Sequence, residues 1–163
     1  MINILKASRV LITALFGITI FVGVANAQLN EVDQLWGEVS RTVGEGDFEG
    51  YAATYHVDAV LVNGLTQSSY PILAALEGWK SGFDDTKSGK QESGVEFRFT
   101  QRFADETTAH DTGIFHYWFQ IDGSDRVDSY IHFDALLVKK DGWKMMMEYQ
   151  KSQATIEDWN SAM

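Results

Sequence analysis

Residues 93–103 read SGVEFRFTQRF, and this stretch decides the fold. Val95, Phe97 and Phe99 alternate with polar side chains, which is the two-residue period of a half-buried strand. Downstream, the pattern predicts three more long strands, separated by short turns rich in Asp and Gly, at about 107–121, 127–140 and 143–152. The second half of the chain is therefore predicted to be an antiparallel sheet.

Before residue 93, apolar residues recur every three or four positions, which is the period of helices packed along one face. The pattern predicts a helix over 29–43, a short helix that begins after Asp47 and includes Tyr55, and a third helix from about Ser69 with Pro71 in its first turn. A short buried strand is expected over 59–62. The fold class is thus α+β, a cone-shaped curved antiparallel sheet with three N-terminal helices packed on its concave face.

The first 27 residues have the composition of a signal peptide. Lys6 and Arg9 precede an apolar run that ends at Val24, and small residues follow at the positions that signal peptidase requires. The run has about 15 residues, fewer than the roughly 20 that span a bilayer as a helix, although an uncleaved anchor stays an alternative. We predict cleavage after Ala27, a periplasmic or secreted location without stable membrane anchoring, and a single domain over 28–163.

The chain carries 13 Lys and Arg against 23 Asp and Glu, a formal net charge of −10. A nucleic acid would be repelled, and no basic stripe offsets the repulsion, so this class of partner is excluded. With no cysteine in the chain, an exported domain must be stabilised by its hydrophobic core alone. The four histidines lack the spacing of metal ligands and no glycine-rich phosphate loop occurs, so we predict neither a metal nor a cofactor.

Two longer stretches carry a family resemblance. Residues 46–64 read GDFEGYAATYHVDAVLVNG and residues 141–152 read DGWKMMMEYQKS. Together with the order of the elements, these stretches resemble the helix-to-strand signature and the closing strand of the nuclear transport factor 2-like superfamily, which includes SnoaL-like and ketosteroid isomerase-like domains. The resemblance implies a cone with an internal pocket. Its motifs are structural and specify no reaction.

The resemblance does not extend to ketosteroid isomerase activity. That reaction needs a carboxylate base, and a tyrosine beside a protonated aspartate to hold the enolate oxygen. The position of the base falls on Asn63 and that of the tyrosine on Val39, while Asp134 lies near the remaining acidic position. Other superfamily members act as dehydratases or cyclases with a histidine, an aspartate and a tyrosine in the cone. Whether this chain is an enzyme therefore stays open at this point.

Four residues on the predicted strands are candidates for acid–base catalysis: His116, His132, Asp134 and Tyr149. Strand alternation puts His132 and Asp134 on one face, about 7 Å apart, where a carboxylate could hold a histidine that acts as a base. The alternative is that Ile131 and Phe133 line the core. In that case His132 and Asp134 belong to an interface or to solvent.

The aromatic content predicts the nature of a ligand. Five Trp, six Tyr and ten Phe occur in 163 residues, and many fall on faces expected to point inward. Such a lining suits an apolar or aromatic molecule, although the same side chains could simply fill the core. The predicted ligand-binding residues are Trp36, Tyr51, Tyr55, Trp79, Phe83, Phe97, Phe99, Trp118 and Met147.

Three functions are compatible with these features. The first is an exported domain that binds a small apolar or aromatic molecule and forms a homodimer through its sheet. The second is a lyase or isomerase that acts on a polyketide- or steroid-like carbonyl compound. The third is a structural dimerisation module that takes no ligand.

Overall fold

The computed structural model describes residues 16–162, with side chains from Gln28 onward. The predicted signal peptide therefore lies outside the residues whose side chains are described. Four helices and six strands follow in the order α1 Phe16–Glu45, α2 Phe48–Ala53, β1 Tyr55–Asn63, β2 Ser68–Pro71, α3 Ile72–Lys87, β3 Gln91–Ala104, β4 Thr108–Ile121, β5 Val127–Lys139, β6 Trp143–Gln153 and α4 Ile156–Ser161. Among the described residues, no helix has both the length and the hydropathy to cross a membrane.

The six strands form one curved, unclosed sheet in the order β2-β1-β6-β5-β4-β3. The four strands after residue 90 pair antiparallel, as predicted. Helices α1 and α3 pack on the sheet from its concave side, α1 mainly against β3 and α3 against β1. The α+β class and the cone are therefore confirmed.

The first strands correct the sequence prediction in three ways. β1 begins at Tyr55, which was expected in the preceding helix, and pairs parallel with β6. Residues 68–71 form the edge strand β2 instead of starting the third helix. Pro71 ends that strand and is the N-cap of α3. A proline is tolerated there because, at a strand end on the sheet edge, it costs no ladder hydrogen bond.

The turn between α1 and α2 depends on two neighbouring residues. Gly46 adopts a positive φ of 66°, and a Cβ at this position would lie 2.4 Å from the backbone nitrogen of Lys87 in α3. Asp47 then caps α2, since its side chain accepts a 2.9 Å hydrogen bond from the Gly50 nitrogen. The α1–α2 turn can thus approach α3 this closely only with glycine at position 46.

Strand β6 carries a bulge that changes which side chains face inward. Leu137 pairs with Met145, whereas the adjacent Leu136 pairs with Met147, so Met146 is an extra residue on β6. A one-residue insertion reverses the alternation beyond it. Trp143 and Met145 therefore face the helices, but so does Glu148 in place of Met147.

Helix α4 covers one end of the convex face, which is the side of the sheet away from α1 to α3. Trp159 is buried there and packs against Ile114 and Tyr130. Thr155 and Asp158 form a capping box at the start of the helix. The C-terminal segment is therefore docked by Trp159, while Ile156 remains exposed.

Candidate functional site

A cavity of about 540 Å³ lies between the helices and the concave face of the sheet. Its walls are rich in aromatic residues, with contributions from α1, α2, α3, β1 and the four long strands. Six of the nine predicted ligand-binding residues line it: Trp36, Tyr51, Tyr55, Trp79, Phe83 and Phe97. These six aromatic side chains therefore surround open space and do not only fill the core.

The other three predicted ligand-binding residues lie elsewhere. Phe99 packs behind the cavity wall, with its ring centroid 5.5 Å from that of Trp36. Trp118 is on the convex face, where Arg126 lies over its ring at 4.8 Å. Met147 pairs with Leu136 on the same face, because the bulge at Met146 turns it outward.

The bulge brings Glu148 into the cavity, a residue that simple alternation from Trp143 places on the outside. Its side chain is only 8% exposed. The Tyr55 hydroxyl donates to Oε2 at 2.5 Å, and the Gln150 amide donates to Oε1 at 2.7 Å. The Tyr51 hydroxyl lies 3.0 Å from that of Tyr55 and donates to it when Tyr55 donates to the carboxylate. A chain of hydroxyls therefore ends on one buried carboxyl group.

The environment of this group changes its acid–base properties. Burial raises the pKa of the Glu148 carboxyl, although the hydrogen bonds from Tyr55 and Gln150 oppose the change. Burial also raises the pKa of both Tyr51 and Tyr55, and the negative charge of Glu148 adds to the effect. A buried carboxyl with an altered pKa, lining a cavity, is typical of functional sites.

Trp36 is held in the cavity wall by a second buried acid, Asp111. The indole nitrogen of Trp36 donates to Asp111 Oδ2 at 2.7 Å. Arg102 binds the same carboxylate with two nitrogens, at 3.0 and 3.1 Å, and also reaches Asp33 at the surface. Asp111 is fully buried, so the paired guanidinium supplies the charge that makes its burial possible.

The predicted catalytic residue His116 lies on the convex face and not in the cavity. Its Nε2 is 2.7 Å from Asp128 Oδ1, and its ring stacks on Tyr130 with centroids 4.3 Å apart. Trp159 of α4 packs against the same pair of rings. His116 therefore belongs to the packing surface of α4.

The other three catalytic candidates, His132, Asp134 and Tyr149, also face away from the cavity. His132 lies 3.7 Å from Asp158 of α4, and Asp134 pairs with Lys151 at 3.2 Å. Tyr149 is the cross-strand neighbour of Asp134 on that face. Ile131 and Phe133 line the cavity instead, which is the alternative arrangement that the sequence left open.

Several polar residues at the cavity are not anticipated by the sequence patterns. Ser93 accepts or donates at 2.9 Å with Thr86, and the Gln91 amide donates to Thr86 at 3.1 Å. These side chains line the same cavity as Glu148 and Gln150. The one available signal for Glu148 was an acidic residue directly after three consecutive methionines. Within the described part of the chain, no three His, Cys, Asp or Glu side chains converge as metal ligands.

Comparison with solved structures identifies the fold as that of the nuclear transport factor 2-like proteins. An NTF-2 like protein from Shewanella oneidensis MR-1 is 16% identical, with a TM-score of 0.58 over 75% of this chain and 97% of that one. A ketosteroid isomerase-like protein from Erwinia carotovora atroseptica is 14% identical, with a TM-score of 0.59 over 80% and 98% of the two chains. The resemblance inferred from residues 46–64 and 141–152 is confirmed at the level of the fold.

A third similar structure is the beta subunit of the benzoate 1,2-dioxygenase from Burkholderia mallei. It is 14% identical, with a TM-score of 0.60 over 72% of this chain and 85% of that one. No family model and no curated protein matches the sequence. At these identities the likeness establishes the fold and assigns no activity.

Proposed function

We propose that this chain is an exported protein that binds a small molecule with an apolar or aromatic body in its cavity. The observation that supports this function best is the open space of about 540 Å³ behind an aromatic lining. That volume falls within the range of roughly 300–1,000 Å³ usual for small-molecule sites. A structural module with a filled cone would not need such a space.

Thermal denaturation with a panel of small aromatic compounds tests this function. A ligand that binds only the folded state raises the melting temperature of the purified protein. Ser129 lines the cavity, so Ser129→Phe should fill part of it and reduce the stabilisation. The matched control is Ser124→Phe in the exposed β4–β5 turn, which should leave it unchanged. Equal stabilisation of both variants would contradict binding in the cavity.

Export is proposed from the N-terminal sequence. The charged start, the short apolar run and the small residues before Gln28 favour a cleaved signal peptide and a periplasmic or secreted protein. N-terminal sequencing of the protein recovered outside the cytoplasm should begin at Gln28. Recovery of the full chain in the membrane fraction would instead favour an uncleaved anchor.

A second candidate function is an isomerase or lyase that acts on a carbonyl compound. The contact that favours it is the one between Tyr55 and Glu148, since a buried carboxylate can remove a proton beside a carbonyl group and return it. In deuterated water such an enzyme would exchange the α-hydrogens of a bound ketone. Glu148→Gln should abolish the exchange, whereas exchange that survives this substitution would exclude Glu148 as the base.

The convex face supports the proposal of a homodimer. A row of side chains crosses five strands from β3 to β1 in the order Phe103, His110, Leu136, Met147 and Val60. Phe103, Leu136 and Val60 are exposed apolar residues, while His110 and Met147 between them are half-buried. Phe103 is 58% exposed, although large apolar side chains are usually buried. Leu136→Glu should shift the sedimentation of the protein to that of a monomer. The control Ile121→Glu, at the tip of β4, should leave the assembly unchanged.

A further inference from the structure

Glu148 differs in charge from the rest of the cavity lining. Among the described residues that line the cavity, it is the one whose side chain can carry a charge at neutral pH. The remaining lining is aromatic, aliphatic, hydroxyl or amide in character. The cavity therefore combines an apolar interior with a single acidic group.

This acidic group has hydrogen-bond donors but no counter-charge within the described part of the chain. Its partners there, Tyr55 and Gln150, are neutral, and no Lys, Arg or His of residues 28–162 forms an ion pair with it. The contrast with Asp111 is direct, because that equally buried carboxylate binds the guanidinium of Arg102. Burying a carboxylate without a cation is costly, so a cation that entered the cavity would be bound strongly.

Two donors leave acceptor capacity on Glu148. An ionised carboxylate offers about four lone-pair sites on its two oxygens. Tyr55 and Gln150 occupy one site on each oxygen. An N–H group of a ligand can therefore reach the same carboxylate without displacing either neighbour.

The aromatic lining also favours a cation. Tyr51 packs against Phe83 with ring centroids 4.8 Å apart and against Trp79 at 6.1 Å, which gives one wall of the cavity several π systems. The faces of such rings attract a positive charge, and most strongly when water is excluded. The net charge of −10 adds a long-range attraction for cations.

We propose that the ligand of this cavity is a protonated organic amine, with its ammonium group on Glu148 and its aromatic or aliphatic body against Trp79 and Phe83. This inference rests on the proposed binding function and names the chemical class of its ligand. A carbonyl compound is the competing class. A carbonyl oxygen placed on Glu148 itself would require a neutral acid that donates a hydrogen bond, whereas two neighbouring donors point at its oxygens.

Three probes with one hydrocarbon frame separate the classes: 3-phenylpropylamine, 3-phenylpropan-1-ol and 3-phenylpropionate. The purified protein is titrated with each near pH 7, where an alkylamine with a pKa of about 10 is protonated. We expect the amine to bind more tightly than the alcohol by about tenfold or more, as an opposite charge beside a carboxylate changes its pKa by about 1–3 units. The carboxylate probe should bind least.

The dependence on pH gives a second readout. Amine binding should strengthen as the pH rises and Glu148 loses its proton, while alcohol binding should stay constant. The other titratable groups that face Glu148 across the cavity are the phenols Tyr51, Tyr55 and Tyr117, on α2, β1 and β4. Burial raises the pKa of all three, so they remain neutral over this range. Among the described lining residues, α1, α3, β3 and β5 contribute no titratable group.

Two variants complete the test. Glu148→Gln should lower amine affinity to that of the alcohol and leave the alcohol unaffected, and Glu96→Gln, which removes an exposed charge from β3, should change neither. If Glu148→Gln does not fold, the three probes and the pH series on the unsubstituted protein decide alone. Alcohol binding equal to or tighter than amine binding overturns the amine but leaves the binding function standing. Failure of all three probes to bind overturns both.

Discussion

The hydroxyl of Tyr55, at the first position of β1, donates a 2.5 Å hydrogen bond to Glu148, which lies 93 positions further along the chain in β6. The bond joins the first strand of the sheet to the last and lies inside the cavity. It also sets the direction of the hydroxyl chain, since Tyr51 then donates to Tyr55. The acidity of Glu148 is therefore coupled to residues on two other elements.

Removing the Tyr55 hydroxyl should make Glu148 a weaker acid. Tyr55→Phe deletes one of two hydrogen bonds to the ionised form, so the pKa of Glu148 should rise further. Carbon-detected NMR titration of labelled glutamate side chains measures this directly. Tyr51→Phe, which removes a hydroxyl that does not contact the carboxylate, should have a smaller effect. An unchanged titration in Tyr55→Phe would contradict the hydrogen bond.

The raised pKa of Glu148 predicts a loss of stability with rising pH. The folded chain keeps this proton at pH values where the unfolded chain, with the ordinary pKa of 4.5, has lost it. Its contribution to the free energy of unfolding is therefore complete below pH 4.5 and is lost as the pH rises through the folded-state pKa. Urea denaturation at a series of pH values should show this decline, and Glu148→Gln should flatten it.

Asp128 provides a control, because its contribution to stability changes with pH in the opposite direction to that of Glu148. Its hydrogen bonds with Arg126 and then His116 lower its pKa below the ordinary value of 3.8. Its stabilising effect is thus present above that value and is lost as the pH falls through the folded-state pKa. Asp128→Asn should therefore change the acid side of the stability profile and not the decline assigned to Glu148. If the stability of Glu148→Gln depends on pH as that of the unsubstituted protein does, the decline at rising pH is not due to Glu148.

Asp111 should be among the most sensitive positions for stability. Asp111→Ala leaves Arg102 without its buried partner and the Trp36 indole without an acceptor. Breaking one side of such a buried pair typically lowers the free energy of unfolding by about 3–5 kcal/mol. Chemical denaturation measures the loss. The control Asp33→Ala removes the exposed partner of the same arginine and should cost much less.

Trp159 should decide whether α4 stays docked. Its ring packs against His116 and Tyr130, Arg98 lies over it at 4.3 Å, and the Arg98 guanidinium donates to its carbonyl at 2.6 Å. Trp159→Ala should therefore release the helix and speed amide exchange over residues 156–161 to the rate of an unstructured segment. Ile156→Ala, at an exposed position on the same helix, should leave exchange nearly unchanged. Persistent protection in Trp159→Ala would show that α4 is held by other contacts.

Periodicity predicts much of this fold because most elements obey it. Val95, Phe97 and Phe99 alternate as expected, and all three contact the core beneath α1. The parallel pairing of β1 with β6 could not be predicted in the same way. It depends on which strands meet in space, and the short strand expected at 59–62 is too brief to carry that information.

The candidate site was harder to predict because it depends on one irregular residue. Alternation from Trp143 places Met147 and Tyr149 inside and Glu148 outside. The extra residue at Met146 reverses all three positions, and nothing in three consecutive methionines distinguishes the one that bulges. His132 is a different case, because the opposite face of its strand, with Ile131, Phe133 and Leu137, is the more apolar one in sequence and already favoured the alternative that the structure has.

The position of β1 between β2 and β6 has a consequence for biogenesis. The ribosome releases β6 after every other described strand, so β1 can pair with its parallel neighbour only after the other strands have been made. Pairings between such distant segments form slowly. The ladders of β6 with β1 and with β5 are therefore the last of the sheet that synthesis makes possible.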